Sequence, residues 1–115
     1  MTIEAYPWGM MQWIERGHSS LGISVAKMSL RAGCETDLHM HDNAHEFIYV
    51  EEGAVTIEMA GTSKDNSELW QKKALASGEK IALQQRRAHK IINDGTATAD
   101  LTIVYTHHDR EFTKV

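Results

Sequence analysis

Residues 33–53 read GCETDLHMHDNAHEFIYVEEG, and within them His39, His41 and Glu46 carry the spacing of metal ligands between two bounding glycines. Side chains alternate along a β-strand, so His39 and His41 share a face. Successive same-face positions lie roughly 6–7 Å apart, within reach of one ion. Glu46 lies too far along to join them on the same straight strand. Asp42-Asn43-Ala44 supplies turn residues, and a chain folded back there returns the carboxylate to the imidazoles from the neighbouring strand.

Outward from this run, turn signals recur at Ala32-Gly33, Asp42-Asn43, Glu52-Gly53, Gly61, Asp65-Asn66-Ser67, Ser77-Gly78 and Asp94-Gly95. A rhythm of about eight to twelve residues between turns is that of an all-β sandwich or barrel. The intervening runs are of strand length: Gly22 to Leu30, Glu46 to Val50, Val55 to Met59, Leu69 to Ala74, Lys80 to Leu83, His89 to Ile92 and Leu101 to Thr106. Gly61 to Glu68, the most polar insertion, reads as an exposed hairpin loop. Residues 1–20 place Trp8, Met10, Met11, Trp13 and Ile14 ahead of these strands, and that apolar surface needs a cover. Either the barrel's own core or a subunit interface supplies it.

The spacing G-x5-H-x-H-x4-E-x6-G, from Gly33 to Gly53, resembles the first signature motif of the cupin superfamily. Residues 78–93, GEKIALQQRRAHKIIN, are similar to the second cupin motif, G-x5-P-x-G-x2-H-x3-N, through Gly78, His89 and Asn93. Gln84 stands where the family usually has proline, and Arg86 where it usually has glycine. Both departures bear on the shape of the loop and leave His89 in place. The resemblance implies a double-stranded β-helix, the jelly-roll cupin barrel, as a single domain over residues 1–115. It also implies a mononuclear site of His39, His41, Glu46 and His89. Small cupins are often dimers that pack through N-terminal strands, so residues 1–20 are expected to form a homodimer contact.

Three imidazoles and one carboxylate make a borderline donor set. It suits one divalent transition metal ion, Fe, Mn, Ni, Zn, Co or Cu, and not an all-oxygen calcium site. Four protein ligands leave one or two positions open on a five- or six-coordinate ion for water, substrate or dioxygen. His45 adjoins Glu46 and so faces the other way on a regular strand. His18, His107 and His108 read as solvated, and Cys34 as a small buried hydrophobe. Arg86 and Arg87 are candidates to clamp a substrate carboxylate, set against the plainer reading that both point to water. Tyr49 has the opposite parity to Glu46, the facing of Tyr105 is open, and Asn93 is expected to fix the turn at Asp94-Gly95. Alternation places Ile48, Val50, Met28 and Ile91 on the cavity wall.

A chain of 115 residues with net charge −4 holds one core and offers no basic patch, so nucleic acid is not an expected partner. Residues 1–13 lack the basic and apolar regions of a leader, and no apolar run nears the roughly 18 residues of a membrane span. One cysteine, Cys34, cannot form an internal disulfide, which fits a cytoplasmic protein. The expected partner is a small molecule, an oxygen-rich or carboxylate ligand held at the metal. The fold hosts several chemistries. A metal-dependent dioxygenase, a non-catalytic ligand-binding or sensing module, and an isomerase, decarboxylase or lyase all fit the motifs.

Overall fold

Strict alternation of buried and half-buried residues along ISVAKMSL and ADLTIVY makes each segment a strand with one face on a core. The computed structural model describes residues 2–18, 20–41, 43–60, 70–106 and 113–114, with the side chains of 17, 18 and 113 excepted. In chain order the strands are β1 (Thr2–Tyr6), β2 (Gly9–His18), β3 (Ile23–Leu30), β4 (Cys34–Glu35), β5 (His39–Met40) and β6 (Glu46–Glu52). They continue as β7 (Ala54–Ala60), β8 (Trp70–Ala76), β9 (Lys80–Leu83), β10 (His89–Asn93), β11 (Ala99–Tyr105) and β12 (Thr113–Lys114). Among the described residues there is no helix.

The strands form two antiparallel sheets, ordered β1-β2-β3-β11-β6-β9 and β12-β5-β10-β7-β8, with β4 also on β10. Between them lies one core. Leu30, Ile48, Val50, Leu101 and Ile103 of the first sheet and Ile57, Leu75 and Ile91 of the second are almost fully buried. This is the all-β jelly-roll barrel that the motifs implied. The expected insertion Gly61 to Glu68 lies outside the described residues, as do His107, His108 and the side chain of His18.

Residues 1–20 split the question of what covers their apolar surface. Trp8, Met11 and Trp13 are buried in the barrel's own core, whereas Ile3, Met10 and Ile14 stay exposed. The division follows from β1 and β2 forming a hairpin on one edge of the first sheet. Its turn carries the only proline, Pro7, and then Gly9, where a Cβ would lie 1.9 Å from the Ser29 carbonyl oxygen. Only glycine permits that approach.

A β-bulge then interrupts β2. Trp13 pairs with Ala26 and Glu15 with Val25, so two steps on β2 match one on β3. The parity of β2 reverses at Ile14. Trp13 and Arg16 therefore face the same side, where an unbroken strand would have sent Arg16 outward.

Candidate metal centre

Register brings two rows of side chains together at one end of the barrel. Across the second sheet His39, His89 and Met59 are in line. Across the first, Ser24, Tyr105, Glu46 and Leu83 are in line. His39 begins β5, His41 follows it by two residues, Glu46 begins β6 and His89 begins β10. One donor atom from each of these four lies within 4.8 Å of the others, and all four residues are buried. Glu46 does not return on a strand paired with β5, as the turn residues implied, because β5 pairs with β10 and β12 while β6 pairs with β11 and β9. The carboxylate crosses from the facing sheet, which lets the donors surround a point instead of lining a surface.

The hydrogen bonds orient the rings for a cation. His39 Nδ1 lies 2.6 Å from the Asp37 carbonyl oxygen and His89 Nδ1 lies 2.9 Å from that of Arg87. A carbonyl only accepts, so both Nδ1 atoms carry the proton and Nε2 is left to face the centre. Glu46 Oε1 lies 2.9 Å from His41 Nε2 and 3.0 Å from His89 Nε2. Tyr105 packs edge-on against His41, with ring centroids 5.0 Å apart.

Burial resists ionisation of Glu46, but the His89 charge beside it and hydrogen bonds from both imidazoles outweigh burial and hold its carboxyl well below the usual range. Burial also opposes charge on His89, and there the Glu46 carboxylate prevails and raises it. His39 is pushed down to about 4, by burial first and by the charge of His89 second. His39 is thus neutral at physiological pH, as a metal ligand must be. A neutral His39, a buried carboxylate and two rings fixed at Nδ1 by backbone carbonyls fit a divalent transition ion, whose binding would displace the proton that His89 shares with Glu46.

A cavity of about 290 Å³ adjoins His39, His41 and Glu46. Met28, Ile91 and Tyr105 line it. Ile48 and Val50 do not. They face inward as expected, but they sit farther along β6, where the barrel is filled, and are fully buried in the core. Arg86 and Arg87 do not line it either: Arg86 is exposed, and Arg87 bonds the Ala60 carbonyl and Gln71. The cavity's arginine is Arg16, beside Glu4, Tyr6, Trp8 and Met11 of the hairpin. Of these only Arg16 lies beyond the bulge, which hides it from simple alternation; Glu4 and Tyr6 lie on β1, whose pairing the sequence does not mark.

Outside the cavity, His45 is exposed and its Nδ1 accepts from the Gln85 amide. Tyr49 is exposed. Asn93 is buried and fixes its turn as expected, donating to the Leu30 and Ala97 carbonyls and accepting from the Gly95 amide. Cys34 is half-buried against the core.

Known structures share this frame. An oxalate decarboxylase from Lactobacillus farciminis, in complex with formate, superposes with a TM-score of 0.85 at 16% identity over 100% of this chain and 33% of its own. An oxalate oxidase gives 0.82 at 20% identity over 97% of this chain and 60% of its own. Peruvianin-I, a cysteine peptidase from Thevetia peruviana latex, gives 0.82 at 20% identity over 97% and 70%. The chain thus spans a third of the decarboxylase and three fifths of the oxidase, and at these identities the likeness is one of fold. No curated protein sequence matches it. The sequence model of the cupin family matches residues 14–115, which takes in every strand from within β2 onward and all four donor residues, so the chain belongs to the cupin family.

Proposed function

We propose that His39, His41, Glu46 and His89 hold one divalent transition metal ion, and that the adjoining cavity admits a small ligand that meets the ion through oxygen, a carboxylate foremost. The observation that carries this reading is the convergence of four buried donors, the Nδ1 protons of His39 and His89 fixed by backbone carbonyls, with His39, His41 and Glu46 on the wall of a cavity. Such an ion supplies Lewis-acid polarisation of a carbonyl or carboxylate, or redox chemistry with dioxygen if it is iron. The protein's own part is to exclude water, to keep His39 neutral and to hold the His41 ring against Tyr105. The oxalate oxidase and oxalate decarboxylase among the similar folds support a carboxylate ligand, and with it a dioxygenase, decarboxylase, lyase or isomerase.

A binding or sensing module is the second reading, and the state of the cavity's other carboxylates favours it. Glu4 is engaged by Tyr6, Trp13 and Arg16, and Asp37 sits exposed near Lys114, so neither is poised as a buried general base. A homodimer built on the exposed Ile3, Met10 and Ile14 of the hairpin belongs to the same proposal.

Elemental analysis by plasma mass spectrometry of untagged protein, purified anaerobically without chelator, tests the metal reading. One transition metal per chain is expected, and its identity selects the activity assay. No metal after reconstitution withdraws the reading.

A further inference from the structure

The donor group occupies one side of the cavity, and the other side has a different character. Trp8, Met11, Met28 and Ile91 line it, and Tyr6 stacks on Trp8 with ring centroids 4.6 Å apart and planes 6° apart. A space of about 290 Å³ holds roughly ten water-sized groups, more than a two-carbon dicarboxylate fills. Apolar walls gain from contact with an apolar body and gain nothing from a second charge.

The charge at the solvent side matters as much. Among the described lining residues, Arg16 supplies the only guanidinium or ammonium group. Its Nη1 lies 3.0 Å from Glu4 Oε2, and its guanidinium lies 4.7 Å from the centre of the Trp13 ring. Glu4 Oε1 in turn accepts from the Tyr6 hydroxyl at 2.8 Å and from Trp13 Nε1 at 2.9 Å. A carboxylate tied by two further donors does not swing away from its arginine cheaply. Those bonds, that from Trp13 foremost, hold the Glu4 carboxyl below its usual range, so the pair is closed and neutral overall at physiological pH.

We propose that the N-terminal hairpin makes this cavity selective for a ligand with a single oxygen-bearing head and an apolar body, and that Glu4 excludes small dicarboxylates by masking Arg16. The proposal rests on the metal reading above, with the head directed to the donor group. The tail lies among Tyr6, Trp8 and Met28. A second carboxylate on that tail would meet apolar wall, the Asp37 carboxylate, or an Arg16 already paired with Glu4. Glu4 is thus a specificity residue that acts through Arg16.

The test uses zinc-loaded protein, its zinc content verified by plasma mass spectrometry, and four probes: acetate, benzoate, hexanoate and adipate. Hexanoate and adipate share a six-carbon chain and differ only in the far carboxylate. Affinities come from calorimetry and from quenching of tryptophan fluorescence, which reports on Trp8 and Trp13. Each methylene in an apolar pocket is worth about tenfold or more. Hexanoate and benzoate are therefore expected to bind at least about tenfold tighter than acetate, and hexanoate about tenfold tighter than adipate.

Glu4→Gln keeps an acceptor for Tyr6 and Trp13 but unmasks Arg16, and it is expected to narrow the gap between hexanoate and adipate to within about twofold. The comparison in the unaltered protein stands even if that variant does not fold. Adipate or acetate binding as tightly as hexanoate, or an unchanged gap in a folded Glu4→Gln variant, overturns the proposal while bound zinc leaves the metal reading intact. Failure to hold zinc ends both.

Discussion

The two walls of the cavity are held by different means. Around the four donors, each fixed ring answers to the backbone: His39 to the Asp37 carbonyl, His89 to that of Arg87, with the side chains sealed from solvent. On the hairpin wall the fixing is side chain to side chain, three donors converging on the single Glu4 carboxylate, and both Glu4 and Arg16 remain partly exposed. Backbone contacts survive substitution of their neighbours, whereas a hub of side chains changes with any one member. The first wall is built to hold one donor arrangement, and the second is free to vary what enters.

The sharpest way to break that division is to remove a donor. His39→Ala and His89→Ala are each expected to drop metal content from one ion per chain to below about a tenth, since even outer contacts to such ligands are worth roughly 10–100-fold in affinity. Far-ultraviolet circular dichroism should still report a β-protein, because the apolar core lies beside the donors and does not include them. Full metal content in both variants would end the site assignment.

Next in size is Trp13→Ala, which should separate the walls from the other side. Trp13 is buried, bonds Glu4, lies under Arg16 and packs with Tyr105 at 5.9 Å. Its truncation is expected to cost about 3–5 kcal/mol of stability, measured by urea unfolding, while metal stoichiometry stays at one. Loss of metal from a folded Trp13→Ala protein would show that the walls are one unit.

The same contrast governs what the sequence made legible. Much of the donor wall could be read from spacing, since period two puts His39 and His41 on one face and Asp42-Asn43-Ala44 lets the chain turn back with Glu46; His89 is placed only by the resemblance of residues 78–93 to the second cupin motif. Which sheet Glu46 would return on was not legible, since turn residues specify a reversal and not a hydrogen-bonding partner. β3, β7, β10 and β11 could be read because they alternate cleanly, whereas β8 is exposed along almost its whole length and is marked only by the turns around it. β2 could not, since a bulge at Ile14 and a second irregularity between Glu15 and His18 leave no mark in composition and break the alternation on that strand. Arg16 is consequently hidden in the sequence, whereas Arg86 and Arg87 are conspicuous in a motif; the plainer reading holds for Arg86, which is exposed, while Arg87 is tied to the Ala60 carbonyl and Gln71. Ile48 and Val50 show a related limit, because alternation tells inside from outside but not filled barrel from cavity.

Acidity offers a third, smaller test on the donor wall of metal-free protein. His89 is raised above its ordinary 6.5, so its contribution is complete below pH 6.5 and is lost as pH rises through the folded value. His39, lowered from 6.5 to about 4, acts in reverse: between those values the unfolded chain takes a proton that the native state refuses, and stability falls as pH falls. Glu46, lowered from 4.5, removes more stability below that pH. The melting temperature of chelator-treated protein should therefore peak near pH 6.5. Glu46→Gln should flatten the alkaline limb, because the Glu46 charge is what raises His89. An unchanged alkaline limb in that variant would detach the two groups.

The smallest effect lies where the two motifs touch. Arg86 stands where cupins usually have glycine, and it keeps the conformation that glycine would adopt, with φ at 64°. Its amide donates to the His41 carbonyl at 2.8 Å, so the loop before His89 is tied to the backbone of another donor and cannot relax toward a more comfortable φ. A side chain in the left-handed region costs roughly 1–2 kcal/mol, and glycine gives back about 0.5–1 kcal/mol through the greater freedom of the unfolded chain. Arg86→Gly is thus expected to stabilise the protein by up to about 1 kcal/mol, a rise of a few degrees in Tm, with metal content unchanged. A fall in Tm would mean that the Arg86 side chain contributes more than its strain, and the donor wall would then depend on side chains as the hairpin wall does.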